Sequence, residues 1–339
     1  MGNETEKSEA SGVIAERTDR SRIWQTVLRL AVCIGILWFI FFRVDISEVY
    51  HLITRINFFY FVLAFLIYLV AHFFFLWRWK SILNALGISC KFTRLLNLQL
   101  VGLFFNLFLP TSAGGDVIKA YYVAKDTGKA GLSYISVFLD RYIGLLAVIA
   151  FAAVAAAAVR LSIGGNPVYQ WLLLVFAGAL LATILLSTQF AFQLNRFLGK
   201  RLKTVQTVIS LINESSKAVL GNYWVVFWTF LLSIAFMLLV IVINYILIMA
   251  MGLTIKFTDL LVFIPLIAFA ASLPISINGI GVREGAYIYL FSIVDFTSAE
   301  SLSLALLSFS LLFLVSLPGS IVYLLMRRYN GQAQPDKYA

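Results

Sequence analysis

The sequence predicts an all-α polytopic membrane protein with six full transmembrane helices and two re-entrant helix pairs arranged as an inverted-topology repeat. Three observations predict it. Hydrophobic residues make up 61% of the 339-residue chain and charged residues 12%, with a mean hydropathy of +0.93, whereas soluble domains carry roughly a quarter charged residues. Apolar stretches of about 20 residues, enough to cross about 30 Å of hydrocarbon as a helix, recur from Ile23 to Met326. Two further apolar stretches are broken by Pro and Gly at matching places.

Residues 1–22 are polar with charges of both signs, which predicts a disordered tail. Ile23 to Phe42 is too long for the apolar core of a signal peptide and reads as the first span. The other full spans are Phe58 to Trp77, Leu132 to Val159, Val168 to Thr188, Tyr223 to Met251 and Leu302 to Met326. Leu95 to Tyr122 is interrupted by Pro110-Thr-Ser-Ala-Gly-Gly-Asp116, and Leu260 to Phe291 by Pro274-Ile-Ser-Ile-Asn-Gly-Ile-Gly281. Each half is too short to cross, and the breaks lack helical hydrogen bonds, so both read as re-entrant pairs, 95–122 and 260–291. Within 190–217, Leu198, Leu202, Val205, Ile209 and Ile212 form an apolar stripe beside Lys200, Arg201 and Lys203. This is either an interfacial amphipathic helix, the favoured reading, or a solvated connector. A short tail, 329–339, ends the chain.

Basic residues fix the expected orientation. With both broken segments re-entrant, 19 Lys and Arg fall on one face and four, Arg43, Arg55, Arg160 and Lys256, on the other. Both termini and the Lys119 to Lys129 segment are therefore expected in the cytoplasm and Asp295 to Glu300 outside, in an inner (plasma) membrane. The first pair then enters from the cytoplasmic side and the second from the opposite side. Leu109-Pro110 is followed nine residues after the proline by Lys119, and Leu273-Pro274 likewise by Arg283, an offset of 164. The flanking spans recur near the same offset, which predicts two membrane repeats, 23–159 and 160–328.

Irregular backbone at membrane depth requires burial in protein or a polar cavity. Two facing breaks therefore predict a polar site near the midplane. Gly114, Gly115, Asn278, Gly279 and Gly281 open helices whose amides and positive ends suit an anion such as a phosphate. Lys119 and Arg283 add whole charges, and intramembrane charges mark function more often than packing. Asp116 and Glu284 either neutralise these bases when no ligand is bound or carry protons. Asp140 and Arg141 either reach the hairpins, Arg141 to a ligand and Asp140 to brace Lys119 or Arg283, or snorkel at a span end. Arg78 and Lys80, around Trp79, read as interface anchors.

Catalysis finds little support. His51 and His72 stand apart from each other and from acids, Cys33 and Cys90 have no metal-ligand spacing, and no nucleophile elbow or P-loop is present. No cofactor, metal or nucleic-acid partner is expected.

The segments Asn106-Leu-Phe-Leu-Pro-Thr-Ser-Ala-Gly-Gly-Asp116, Asp140-Arg141-Tyr-Ile-Gly144 and Pro274-Ile-Ser-Ile-Asn-Gly-Ile-Gly-Val-Arg-Glu284 resemble the lysylphosphatidylglycerol synthase transmembrane-region family. That family is the flippase-like domain of multiple peptide resistance factors, also found as stand-alone membrane proteins. The resemblance spans Ile23 to Arg328 and implies translocation of a lipid between leaflets. In two-domain members the lipid is aminoacylated by a soluble C-terminal transferase. Here about a dozen residues follow the last span, so a stand-alone carrier of an anionic phospholipid or polyprenyl-phosphate-linked lipid is the expectation. The same site would also suit a carrier of a small soluble anion; a membrane-embedded lipid-phosphate transferase and a non-transporting partner of a biosynthetic complex are the other readings, with a homodimer or a lipid-biosynthetic partner as the candidate assemblies.

Overall fold

A computed structural model describes residues 44–108, 114–159, 221–273 and 278–332, with shorter pieces within 34–42, 162–167, 170–178 and 218–219, and residue 276. The expectations for 1–22, for 190–217, for most of 23–42 and 168–188, and for the two prolines of the breaks fall outside the described residues.

The described chain is helical apart from a two-residue antiparallel ladder, β1 (Ser162–Ile163) with β2 (Asn166–Pro167). Its helices with both ends described are α1 (Ile46–Thr54), α2 (Phe58–Ala85), α3 (Phe92–Phe108), α4 (Gly114–Thr127), α5 (Ala130–Val159), α6 (Tyr223–Ala250), α7 (Phe257–Ser272), α8 (Val282–Phe291) and α9 (Ser298–Gln332). Four of them, α2, α5, α6 and α9, are long and apolar enough to cross a membrane. The 28 residues of α2 reach roughly 42 Å, more than the hydrocarbon core of about 30 Å. Their outer faces carry large exposed apolar side chains, among them Leu66, Val154, Phe227 and Leu324, with Trp77 and Trp224 toward the ends. This surface is built for lipid, so the protein is embedded in a membrane.

Local sequence sets each boundary. Asn57 caps α2 by accepting from the Phe59 amide at 3.0 Å. Gly87, at φ 68°, then reverses the chain after α2, with Gly87 N on Asn84 O and Ile88 N on Leu83 O. The same pair of devices recurs 165 residues later. Asn222 caps α6, and Gly252, at φ 74°, ends it with Gly252 N on Met249 O and Leu253 N on Ile248 O. α3 and α7 also begin 165 residues apart, at Phe92 and Phe257. Caps, reversals and helix starts thus recur at a spacing close to that of the two broken segments.

α2 and α6 run antiparallel. The Asn57 amide meets the Ala250 carbonyl at one end, and Arg78 meets Ser233 toward the other. The two predicted pairs are antiparallel hairpins. Arg94, Gln99 and Gly102 of α3 face Asp126, Lys119 and Gly115 of α4 in turn. In the second hairpin the rings of Phe263 in α7 and Phe291 in α8 lie 5.6 Å apart, and Gly279 sits against Ala271. The long helices exchange partners: α9 packs on α3, and α5 packs on α7. Small residues allow these approaches, as in other membrane bundles. A Cβ on Gly319 of α9 would fall 2.1 Å from the Leu100 carbonyl oxygen of α3. On the other side Ala152, Ala153 and Ala156 of α5 pack in one buried cluster with Phe263, Ile264 and Ile267 of α7. The charged side chains described next sit inside this frame.

Candidate functional site

The first hairpin brings its charges together because glycine lets its helices close. Gly115 approaches Gly102 so tightly that a Cβ would lie 1.8 Å from the Gly102 oxygen. Lys119 is folded back over Gly102, buried with 3% of its surface exposed. Its ammonium lies 2.7 Å from Asp116 Oδ1, donates to Gln99 Oε1 at 3.1 Å and sits 5.0 Å from the Trp79 ring. Such enclosure by a carboxylate, an amide and an aromatic face replaces the water a buried ammonium loses. The other Asp116 oxygen takes the Nε–H of Arg141. Arg141 keeps 46% of its side chain accessible, against 4% for Lys119. The accessible cation of this half is therefore Arg141, while Lys119 positions Asp116.

Asp140 does not brace Lys119 or Arg283. It forms a two-pronged pair with Arg78, Nε to Oδ1 at 2.7 Å and Nη2 to Oδ2 at 3.0 Å, with side chains 6% and 3% exposed. Arg78 Nη1 also donates to Ser233 at 3.0 Å, and its guanidinium lies 4.7 Å from the Phe75 ring. Arg78 is thus no interface anchor; it clamps α2, α5 and α6 together. Gly144 makes the room, since a Cβ there would fall 2.7 Å from Arg78 Nη1. Asp140-x-x-x-Gly144 was the available signal, but nothing in one sequence says which arginine fills that space.

In the second hairpin Asn278, Gly279 and Gly281 all adopt positive φ, 52°, 75° and 83°. Glu284 caps α8 by accepting from the Gly281 amide at 2.6 Å, and its other oxygen takes Arg283 Nε at 3.0 Å. The Arg283 guanidinium lies 4.8 Å from the Phe309 ring, with 16% of the side chain exposed. Arg283 and Glu284 border a cavity of about 300 Å³ that Ile40, Ile46, Leu302 and Phe309 line on its apolar sides. That volume is at the lower limit for a ligand pocket.

The two hairpins meet at Asn106. Its carbonyl accepts from the Asn278 side-chain amide, and its Oδ1 accepts from the Gly115 amide at 2.8 Å. Asn106 therefore ties both turns together, a role not read from its position in the motif. Gly114 opens α4, but the amides of Gly115 and Gly281 are already engaged by side chains. Lys119 and Arg283 also differ in register. Counted from the prolines they match at 164, yet Lys119 is the sixth residue of α4 and Arg283 the second of α8. Five residues separate α3 from α4 and nine separate α7 from α8, so the longer second turn shifts the base toward the helix start. Below Arg283, Tyr287 donates to Asn244 at 2.7 Å, and Ser308 donates to the same oxygen at 3.0 Å. Among the described residues no three His, Cys, Asp or Glu side chains gather as a metal site.

No solved structure matches the chain. Over 122 residues it is 27% identical to the UPF0104 membrane protein MJ1595 of Methanocaldococcus jannaschii, covering 35% of this chain and 36% of that protein. The match thus spans about a third of the relative's length. The family model described as the lysylphosphatidylglycerol synthase TM region matches residues 26–319. That range takes in both hairpins, the Asn106 junction and every charged residue of the site, and the chain belongs to this family.

Proposed function

We propose that the protein is a stand-alone, flippase-like lipid transporter that carries an anionic lipid, a phospholipid or a polyprenyl-phosphate-linked one, between leaflets without altering it. In this reading α3/α4 and α7/α8 are re-entrant pairs of an inverted repeat, six helices span an inner membrane, and both termini are cytoplasmic. The observation that carries it is the junction of the two hairpin turns, Asn278 on Asn106, flanked by Arg141 on one side and Arg283 on the other. Polar turns of opposed hairpins inside a lipid-facing bundle suit a headgroup that must pass while its acyl chains stay in hydrocarbon. Arg141 and Arg283 are the groups that meet a phosphate, each forking onto two oxygens. Asp116 and Glu284 serve as resident counter-ions that keep the cations neutralised when no lipid is bound. The apolar cavity beside Arg283 supports a ligand with both a charged and a hydrocarbon part.

Exchange of headgroup-labelled phosphatidylglycerol between leaflets of proteoliposomes tests the proposal. The expected result is exchange faster than in protein-free liposomes, with the recovered lipid unchanged by mass spectrometry. Exchange at the protein-free rate rejects carriage, and a chemically altered lipid points to a transferase instead.

A further inference from the structure

Ser276 is 2% exposed, and its hydroxyl has no hydrogen-bond partner. Several other buried hydroxyls among the described residues satisfy themselves on their own helices. Ser233 donates to Thr229 O, Ser303 to Ala299 O and Ser316 to Phe313 O, each at 2.7 Å. Ser276 lies between α7 and α8, past the end of α7 at Ser272, whose following residue Leu273 is already extended. An enclosed hydroxyl without a partner forfeits its hydration with no return, and such groups are rare unless a ligand or water completes them.

The surroundings say which kind of ligand. Two residues on, Asn278 reaches across to the other hairpin, and Arg283 stands on the helix that this turn opens. A hydroxyl donor in a turn that leads into a guanidinium suits an anionic oxygen. The sequence repeats the placement: Leu109-Pro110-Thr111-Ser112 and Leu273-Pro274-Ile275-Ser276 each put a serine two residues past the proline. We infer that the Ser276 hydroxyl donates to a phosphate oxygen of the ligand held between the hairpins, and so helps select phosphate-bearing lipids. This rests on the carrier reading above.

The test uses the full-length protein in detergent, with three probes: phosphatidylglycerol, diacylglycerol of the same acyl chains, and inorganic phosphate. Dissociation constants and ligand-free melting temperatures are measured for the wild type, Ser276→Ala and Ser276→Thr. Ser276→Ala is expected to melt at or above the wild-type temperature without ligand, since it removes an unpaired polar group. It should bind phosphatidylglycerol about tenfold more weakly while diacylglycerol binding is unchanged, and Ser276→Thr should recover part of the loss. A tenfold loss confined to phosphatidylglycerol assigns the oxygen to lipid; a loss shared by inorganic phosphate assigns it to phosphate from either source. Both outcomes support the inference. Wild-type phosphatidylglycerol affinity in Ser276→Ala overturns it and leaves the carrier reading standing, with water as the partner of the hydroxyl. A lower ligand-free melting temperature in Ser276→Ala also overturns it, because the hydroxyl would then have a partner within the protein. Failure of the wild type to bind phosphatidylglycerol rejects both.

Discussion

Removing one partner of the Arg78–Asp140 pair leaves an uncompensated charge among three helices. Both side chains are almost fully enclosed, at 6% and 3% exposure, and two hydrogen bonds plus a third to Ser233 hold the guanidinium in place. Breaking such a pair from one side costs about 3–5 kcal/mol. Asp140→Ala strands a guanidinium between α2, α5 and α6, and Arg78→Ala strands a carboxylate, so each should fall in this range. Replacing both charges with apolar residues of similar size, Arg78→Met with Asp140→Leu, removes the desolvation penalty along with the attraction and should recover most of the loss. Thermal melting in detergent, monitored by retention of the folded monomer on a sizing column, measures each variant beside the wild type. With the matching single variants Arg78→Met and Asp140→Leu closing the cycle, the coupling between the sites should be about 2 kcal/mol or more. A double variant no more stable than either single one, or a wild-type melt for Asp140→Ala, would refute the claim that this pair is a buried clamp.

Three further outcomes are expected. Gly115→Ala should cost about 3 kcal/mol or more, because its Cβ would meet the Gly102 carbonyl, which is backbone and cannot turn aside; Gly285→Ala, with nothing within 4 Å, should leave the melting temperature unchanged or slightly raised. Arg283→Ala should weaken phosphatidylglycerol binding by roughly 1.5–3 kcal/mol, with Arg283→Lys restoring only part because an ammonium lacks the planar fork; wild-type affinity in a folded Arg283→Ala protein would reduce the residue to a structural counter-ion. In a Cys33→Ala background Cys90 should react with an impermeant maleimide from the cytoplasmic face alone. Burial, with Asp126 adding to it against Arg94, pushes its thiol above the usual value, so the thiolate fraction at neutral pH is small and labelling should accelerate as pH rises. Labelling from the outside would reverse the topology.

The sequence carries the frame of this fold plainly, because hydropathy and caps are local. Asn57 and Asn222 mark two helix starts and Gly87 and Gly252 mark two ends, each from chemistry within a few residues. The hairpins are legible for the same reason, since Pro and Gly interrupt apolar runs too long for a single loop. What escaped is what depends on distant pairing. Arg78 carries the Trp-flanked context of an interface anchor, and only the packing of α2 on α5 turns it inward to Asp140. His72 looks isolated in sequence, yet its Nδ1 lies 2.9 Å from the Tyr68 carbonyl and its ring packs against Phe236 of α6. Asn106 gives no local sign that its carbonyl will meet the other hairpin. Lys119 stands out in the sequence as a charge beside a broken apolar run, but its burial follows from Gln99 and Trp79 on neighbouring helices.

Caps and reversals recur at a spacing of 165 residues, whereas the charges do not. Caps at 57 and 222, reversals at 87 and 252, and the exchange of α9 onto α3 for α5 onto α7 all repeat. Counted from the helix starts, Asp116 and Glu284 are each the third residue of their helix and both are buried, while the position of Lys119 is taken by Tyr287 in the second hairpin. The two carboxylates are satisfied by different devices: Asp116 by the side chains of Lys119 and Arg141, Glu284 by the Gly281 amide and Arg283. Under the proposed carrier reading, the consequence for a passing anion is physical. On the first side it must compete with Asp116 for Arg141, while Lys119 continues to neutralise that carboxylate; on the second it must compete with Glu284 for Arg283, and Glu284 keeps only a backbone partner once Arg283 turns away. Displacement therefore leaves the two carboxylates unequally compensated, and an anion held alternately by Arg141 and Arg283 meets two sites of different affinity. A carrier whose two gates were identical would have no such difference between the leaflets; in the proposed carrier it would reside in a few side chains on two hairpins of matching layout.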